Sequence, residues 1–204
     1  MSNLISFLPL GLLFIATYLL ASLSSAIVVC RLFSLPDPRT TGSKNPGATN
    51  VLRIGSKLPA FLTLLGDVLK GFIPVLVAAQ LFQEPTYTAW VLFVAFLGHC
   101  FPLYYGFEGG KGVATALGSL FAFSWLVGAC TAGLWLFMAF IFRFSSLASL
   151  VSLSVCPLFA YAFISSYAAI PLCMLAIIVI YRHRANVVRL WQGTESKIGS
   201  KKKT

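Results

Sequence analysis

A lysine set among glycines is the residue most able to carry chemistry in this chain. Gly109 and Gly110 precede Lys111, Gly112 follows it, and the apolar residues beyond predict the start of a helix. Glycine lets backbone N–H groups approach a ligand closely, and a helix N-terminus beside a lysine attracts anions. A P-loop needs four residues between its first glycine and its Gly-Lys pair, whereas Gly106 and Gly110 enclose three. The stretch therefore predicts a phosphate-binding loop that is not a P-loop.

A second polar stretch lies at residues 42–53. It alternates glycines with hydroxyl, amide and cationic side chains, among them Ser43, Lys44 and Arg53. Hydroxyl and N–H groups donate hydrogen bonds to oxyanions, and the fork of an arginine binds phosphate with two parallel hydrogen bonds. The stretch is therefore a candidate for oxyanion recognition, and an ordinary polar loop is the alternative.

A third polar stretch covers residues 181–195. His183 and Asn186 are three residues apart and share a face if the preceding helix continues through them. A basic anchor at the membrane surface would account for the arginines of this stretch. It would not account for His183, Asn186 or Glu195, which are therefore candidate site residues.

The composition places these stretches beside a membrane. Of the 204 residues, 58% are hydrophobic and only 10% are charged, against about a quarter charged in soluble domains. Most of the 15 Lys and Arg residues fall in the segments 31–57 and 181–204, as is typical of cytoplasmic loops. No nucleic-acid-binding module accompanies this positive charge. The chain is therefore predicted to be an integral membrane protein that does not bind nucleic acid.

The apolar runs predict an all-α polytopic membrane protein of one domain, residues 1–204. The runs are 4–30, 58–82, 87–103, 112–142 and 145–180. The last two are too long for single spans, because a helix of about 31 residues would measure about 46 Å against about 30 Å of hydrocarbon. We expect them to break near Ser124 or Gly128 and around Ser165 and Ser166. Seven helices result, some of them short, whereas unbroken runs would give five.

Either helix count puts the basic segments on one side of the membrane. These segments are the loops 31–57 and 104–112 and the tail 181–204. The positive-inside rule assigns them and the C-terminus to the cytoplasm, and the N-terminus to the outside.

Two charges interrupt the second apolar run. Asp67 and Lys70 are three residues apart and so share a helical face. Charges at this depth are costly unless they pair or face a wet cavity, so a structural ion pair and a role in the site are both open. The five acidic residues are otherwise scattered singly, so neither a metal site nor a cofactor is predicted.

Three long motifs carry a resemblance to a known family. They are Gly-Ser-x-Asn-Pro-Gly-Ala-Thr-Asn-x-x-Arg at 42–53, Gly-His-x-Phe-Pro with Gly-Gly-Lys-Gly-Val-Ala-Thr at 98–115, and His-x-x-Asn-x-x-Arg-Leu-x-x-Gly-x-Glu at 183–195. In these motifs and their order the chain resembles the bacterial integral-membrane acyl-phosphate:glycerol-3-phosphate acyltransferases, often called PlsY. The resemblance covers essentially the whole chain and departs only in the tail beyond Glu195.

The resemblance implies an activity and a setting. The activity is transfer of a fatty acyl group from acyl phosphate to the 1-hydroxyl of glycerol 3-phosphate, without a covalent enzyme intermediate. The products are lysophosphatidic acid and inorganic phosphate, in the first committed step of bacterial phospholipid synthesis. The implied setting is the bacterial inner membrane, with seven helices and an active site facing the cytoplasm. The expected partners are the two substrates and membrane lipids, and the chain is expected to be monomeric.

The resemblance also implies roles for individual residues. The catalytic residues would be Ser43, Arg53, Lys111, His183 and Asn186. The substrate-binding residues would be Ser43, Asn45, Thr49, Asn50, Arg53, His99, Gly109, Gly110, Lys111, Gly112, Thr115, His183, Asn186 and Glu195. The general base is open between His183 and a phosphate of the substrate, and a packing role is open for His99. A transporter of phosphorylated metabolites is the alternative function, although two related halves are not visible.

Overall fold

The computed structural model describes residues 2–199, with side chains described from Leu8 onward. Its helices are α1 (Ser2–Ala21), α2 (Ser25–Leu32), α3 (Ala48–Ile54), α4 (Lys57–Leu81), α5 (Pro85–Cys100), α6 (Val113–Phe123), α7 (Trp125–Phe142), α8 (Ser145–Phe163), α9 (Ser166–Arg182) and α10 (Arg184–Trp191), with a 3₁₀ turn at Leu103–Tyr105. The described part of the chain contains no β-strand. The predicted all-α class is therefore confirmed.

Five helical segments are long and apolar enough to cross a membrane. They are Leu8–Leu32, Lys57–Leu81, Pro85–Tyr105, Trp125–Phe142 and Ser145–Phe163. A sixth span results if α9 and α10, which meet at an angle of 58°, are counted together, and α6 is a shorter apolar helix. Segments of this length and composition identify a polytopic membrane protein.

Serines mark the breaks in the two longest apolar runs. Ser124 separates α6 from α7, and its hydroxyl oxygen accepts a hydrogen bond from the Val127 N–H at 3.4 Å. Ser165 separates α8 from α9 and accepts from the Ala168 N–H at 3.1 Å. A serine in this position satisfies one of the N–H groups that the start of a helix leaves free. The breaks predicted near Ser124 and around Ser165 are confirmed.

The structure adds two interruptions that the sequence does not predict, although Leu8–Leu32 still counts as one span. The run 4–30 does not form one uninterrupted helix, because the helical backbone stops at Ala21 and resumes at Ser25. The last helix does not continue through His183, because α9 ends at Arg182 and α10 turns away by 58°. Both interruptions fall where an apolar run meets polar residues, and hydrophobic periodicity alone does not locate such a bend.

Helices α4 and α6 approach each other at glycines. A Cβ on Gly71 would overlap the Thr115 carbonyl oxygen, and a Cβ on Gly118 would overlap the Val68 carbonyl oxygen. Small residues allow such close approach between membrane helices. The contact holds the N-terminus of α6, and with it the neighbouring Lys111, against α4.

The buried core is centred on α5. Leu92 and Phe96 of α5 are fully buried with Leu120 of α6 and Leu172 of α9. Large apolar side chains also cover the outside of the bundle, as at Phe140 of α7, which is 87% exposed. An outer surface of this kind is suited to lipid rather than water.

The polar connections meet at one end of the bundle. The Ile198 N–H donates to the Arg143 carbonyl oxygen at 2.7 Å, which joins the C-terminal tail to the connection between α7 and α8. The Arg182 Nε donates to the Gly110 carbonyl oxygen at 3.1 Å, which joins the end of α9 to the glycine loop. The short connections at 82–84, 124 and 164–165 alternate with these along the chain.

Candidate active site

A large open cavity lies at the polar end of the bundle, where the three polar stretches meet. Its volume is about 2270 Å³. Ligand pockets usually measure about 300–1,000 Å³, so this cavity has room for more than one small ligand. Arg53, Lys111 and Asn186 line one part of it, and Phe61 and Leu64 of α4 line another. The cavity therefore combines a cationic region with an apolar wall.

Lys111 is held in the cavity by the third polar stretch. Its Nζ donates a hydrogen bond to Asn186 Oδ1 at 2.5 Å. Asn186 Nδ2 in turn donates to Glu195 Oε1 at 2.7 Å. Asn186 is 5% exposed, and both ends of its amide form hydrogen bonds with protein groups. The glycine loop and the C-terminal stretch, which are distant in sequence, thus share one hydrogen-bonded chain.

Glu195 connects this series of hydrogen bonds to α8 and α10. Its Oε1 also accepts from Ser146 Oγ at 2.7 Å, and its Oε2 accepts from Arg189 Nε at 2.6 Å. Burial opposes the negative charge, but the hydrogen bonds from Ser146, Asn186 and Arg189 outweigh it and lower the pKa of Glu195. The carboxylate is therefore ionised and occupied by protein donors. In this arrangement Glu195 orients Asn186.

The surroundings of Lys111 lower the pKa of its ammonium group. Burial is the main cause, and the Glu195 carboxylate acts against it by favouring the ammonium form. The guanidinium groups of Arg189, Arg182 and Arg53 add repulsion, and the pKa of Lys111 falls to about 8. A site that concentrates cations around a buried ammonium is arranged to accept an anion.

The second polar stretch also lines the cavity. Ser43, Asn45, Thr49 and Arg53 all line it. Arg53 lies in α3, a helix of seven residues that follows Gly47. The stretch therefore brings hydroxyl, amide and guanidinium groups to the same cavity as Lys111, as its composition predicts.

Asn50 belongs to the same stretch but turns toward the protein. Its Oδ1 accepts from the Ser43 N–H at 2.8 Å, and its Nδ2 donates to the carbonyl oxygens of Pro38 and Thr41 at 2.8 and 3.0 Å. The side chain is almost fully buried. Asn50 thus fixes the fold of the loop that presents Ser43 to the cavity.

His183 lies at the bend between α9 and α10. It is 2% exposed and lines the cavity. Its Nδ1 lies 2.9 Å from the Val179 carbonyl oxygen, an acceptor, so Nδ1 carries the proton of that hydrogen bond. The neutral ring then has its lone pair on Nε2, which is available to a ligand.

The glycine loop lies flat against the end of α5. A Cβ on Gly109 would overlap the His99 carbonyl oxygen, and a Cβ on Gly112 would overlap the Phe96 ring. Gly112 also has a φ of +77°, a conformation that favours glycine. Arg182 donates to the carbonyl oxygens of Gly109 and Gly110 and so ties the loop to α9.

Most of the predicted site residues meet in the cavity. Those that line it are Ser43, Asn45, Thr49, Asn50, Arg53, His99, Lys111, Gly112, His183, Asn186 and Glu195. Gly109 instead lines a smaller cavity of about 230 Å³, beside Arg39 and Arg182. Gly110 and Thr115 are not among the lining residues of either cavity, and both contact His99 behind the wall.

The sequence prediction missed Ser146 at the start of α8. Its hydroxyl donates to Glu195, and it lines the cavity together with Ser145 and Ser149. The signal for these residues is a set of hydroxyls one turn apart at the polar end of an apolar span. They lie outside the three polar stretches, so those stretches do not predict them.

Comparison with known proteins assigns the chain to a family. A family model described as glycerol-3-phosphate acyltransferase matches residues 11–193. The chain belongs to this family. A glycerol-3-phosphate acyltransferase of Thioalkalivibrio sulfidiphilus is 52% identical over 193 residues, covering 94% of this chain and 95% of the relative. One from Francisella tularensis subsp. novicida is 49% identical over 199 residues, covering 97% of each chain.

Solved structures of the glycerol-3-phosphate acyltransferase family agree with the fold. The glycerol 3-phosphate form of PlsY (YgiH), an integral membrane glycerol 3-phosphate acyltransferase, matches with a TM-score of 0.89 and 37% identity, covering 94% of this chain and 96% of that one. Its lysophosphatidic acid form matches with a TM-score of 0.86 and 36% identity, over the same shares of the two chains. The resemblance inferred from the three motifs is therefore confirmed.

Proposed function

We propose that the cavity is the site of acyl transfer from an acyl phosphate to the 1-hydroxyl of glycerol 3-phosphate. The relatives are named glycerol-3-phosphate acyltransferases, and the two matched structures are named for forms with glycerol 3-phosphate and with lysophosphatidic acid. The matched proteins thus name both the acceptor substrate and the product of the reaction. The alternative of a transporter for phosphorylated metabolites is not supported by these relatives.

One observation carries the proposal. Cationic and amide groups from three distant segments line the same cavity as an apolar wall: Arg53 from the first, Lys111 from the second and Asn186 from the third. A phosphorylated alcohol needs the cationic region, and a fatty acyl chain needs the wall that Phe61 and Leu64 provide. A cavity that offers both is suited to joining an acyl chain to glycerol 3-phosphate.

The chemistry needs positioning more than a protein nucleophile. Acyl phosphate is already activated, because phosphate is a good leaving group. The 1-hydroxyl oxygen attacks the acyl carbonyl carbon, the bond from that carbon to the phosphate oxygen breaks, and inorganic phosphate departs with the electron pair. The cavity contributes orientation of the two substrates and stabilisation of negative charge. The mechanism uses no covalent intermediate, metal or cofactor.

The proposed roles follow from the chemistry of each side chain. Arg53 and Lys111 bind phosphate groups of the two substrates, and Ser43 donates a further hydrogen bond to them. His183 accepts a hydrogen bond at Nε2 from a hydroxyl group of the bound substrate. Asn186, fixed by Glu195, holds Lys111 where it meets the substrate. The lining residues Asn45 and Thr49 orient the substrates beside Ser43 and Arg53.

We propose that the departing phosphate accepts the proton of the 1-hydroxyl group. A proton on His183 would add a buried positive charge to a site that already holds Lys111 and Arg53. The phosphate gains negative charge as the carbon–oxygen bond breaks, so it becomes a better proton acceptor as the reaction proceeds. In this assignment His183 binds substrate and does not remove the proton.

The proposal includes seven membrane spans, with the N-terminus outside the cell and the cavity facing the cytoplasm. The five long segments, α6 and α9 supply seven apolar helices. Their basic connections would then face the cytoplasm of a bacterium, across its inner membrane, as the positive-inside rule requires. We further propose that the chain acts as a monomeric, single-domain enzyme, because the segments that line the cavity all come from one chain.

An assay with the purified protein tests the function. Palmitoyl phosphate and radiolabelled glycerol 3-phosphate should give labelled lysophosphatidic acid, whereas acyl-CoA or acyl carrier protein as donor should give none. Arg53→Ala and Lys111→Ala should each lower kcat/KM by about 100-fold or more, because each removes a charged phosphate contact. In the same assay, His183→Asn should keep turnover and mainly raise the KM for glycerol 3-phosphate.

Arg31→Ala is the matched control for lost positive charge. Arg31 is exposed at the end of α2 and does not line the cavity. Its removal should leave kcat/KM unchanged. A wild-type protein that makes no lysophosphatidic acid, or an Arg53→Ala variant with near-normal activity, would overturn the proposal.

A further inference from the structure

A buried ion pair lies at the wall of the cavity, which Asp67 lines, and has no part in the proposed reaction. Lys70 Nζ lies 3.1 Å from Asp67 Oδ1, and both side chains are less than a tenth exposed. Lys70 also donates to the Leu23 carbonyl oxygen at 2.8 Å, in the interruption between α1 and α2. Charges within a membrane span are costly, and a buried ion pair is weak evidence of a gain in stability. The pair therefore calls for another explanation.

Asp67 faces a histidine at the end of α5. His99 Nδ1 lies 3.5 Å from Asp67 Oδ1 and 3.1 Å from Thr115 Oγ1. His99 lies in the last turn of α5 and Thr115 in the first turn of α6. The contact between them closes the base of the loop that carries Lys111, and Asp67 lies against that closure.

The glycine loop rests directly on His99. The Gly110 N–H donates to the His99 carbonyl oxygen at 3.2 Å. A Cβ on Gly110 would overlap His99 Nε2, so the imidazole edge touches the loop backbone one residue before Lys111. A shift of the ring would therefore shift the backbone that presents the lysine.

We infer that Asp67 and His99 are positioning residues that set the place of Lys111 in the cavity. Lys70 neutralises Asp67, Asp67 orients the His99 ring, and the ring with Thr115 fixes both ends of the glycine loop. The inference rests on the proposed function of the cavity. It assigns His99 and Thr115 to the support of the loop rather than to contact with substrate.

Replacing both members of the ion pair together distinguishes a role in positioning Lys111 from a role in stabilising the fold. Asp67→Leu with Lys70→Met removes both charges, and such replacement of a buried pair by apolar residues is often neutral or stabilising. The double variant should therefore keep the wild-type melting temperature within a few degrees. Its kcat/KM should fall by about tenfold or more, because the catalytic geometry tolerates little displacement. A folded double variant with full activity would overturn the inference.

Thr115 supplies a second test that does not depend on the folding of the double variant. Thr115→Val keeps the shape but removes the hydroxyl that contacts His99, so kcat/KM should fall, and Thr115→Ser should restore it. Ser119→Ala is the matched control, because Ser119 lies one turn further along α6 and its buried hydroxyl has no hydrogen-bond partner among the described residues. Normal activity of Thr115→Val would overturn the inference. An inactive wild-type protein would instead contradict the proposed function.

Discussion

Single residues determine the electrostatics of the cavity. Three guanidinium groups act on Lys111, and Glu195 is the carboxylate that opposes them. Glu195 also accepts hydrogen bonds from Ser146, Asn186 and Arg189, and its single negative charge does not balance three guanidinium groups. The excess of positive charge is what an incoming phosphate neutralises, and its strength depends on whether Lys111 is protonated.

The pH dependence of the reaction should follow Lys111. With a pKa of about 8 the lysine is charged below that pH and neutral above it, so the phosphate contact is lost as the pH rises. The kcat/KM for glycerol 3-phosphate should be level near pH 7 and fall about tenfold per pH unit well above pH 8. Lys111→Arg should remove this fall, because arginine keeps its charge. A fall that persists in Lys111→Arg would assign the titration to another group.

The roles of individual side chains were harder to predict than the segments that carry them. The three motifs correctly indicate which stretches meet in the cavity, because phosphate-binding residue types cluster in them. They do not indicate which way a side chain turns, and the Asn50 amide hydrogen-bonds to carbonyl oxygens of its own loop. Ser146 was not predicted at all, because its place beside Glu195 arises only when α8 packs against the tail.

At the scale of elements, the length of an apolar run predicts where its helix breaks. The excess length of the apolar runs predicts the breaks at Ser124 and Ser165, because a helix much longer than the bilayer is thick must end or bend. Length does not predict the interruption before Ser25 or the bend at His183, because each of the segments concerned is short enough to be a single span. The interruption before Ser25 coincides with a tertiary contact, the hydrogen bond from Lys70 to the Leu23 carbonyl oxygen.

The loop before α3 should depend on Asn50. Asn50→Asp keeps an oxygen for the Ser43 N–H but points a carboxylate oxygen at the carbonyl oxygens of Pro38 and Thr41. One buried and one partly buried acceptor lose their donor, which should cost about 2–4 kcal/mol of folding free energy. A lower melting temperature and a higher KM for glycerol 3-phosphate should be measured together.

The control for this loop is Thr40→Ala. Thr40 is exposed, and its hydroxyl donates to the Asp37 carbonyl oxygen at 3.1 Å within the same loop. Its loss should change the melting temperature and the KM little, because exposed hydrogen bonds exchange with water. Wild-type values for Asn50→Asp would show that the loop does not need the side-chain donor.

At the scale of the whole molecule, most charged side chains lie at the same end as the cavity. Within residues 2–199, the charged side chains outside the polar connections at that end are Asp67 and Lys70 of α4, of which Asp67 reaches the cavity wall, and the exposed Glu84. Glu84 caps α5 in the short connection after α4. Such an asymmetry of Lys and Arg is the signal that orients membrane proteins, and it predicts that the cavity draws its water-soluble substrate from the cytoplasm.

Labelling of engineered cysteines tests this orientation. In a chain whose native cysteines are replaced, Glu84→Cys should react with a membrane-impermeant maleimide in intact cells, because the connection after α4 would lie outside. Ser196→Cys, in the tail that lines the cavity, should react only after the membrane is permeabilised. Both positions are exposed, so a difference in reactivity would report the side of the membrane rather than burial. The reverse pattern would place the cavity outside the cell, where the basic connections would violate the positive-inside rule.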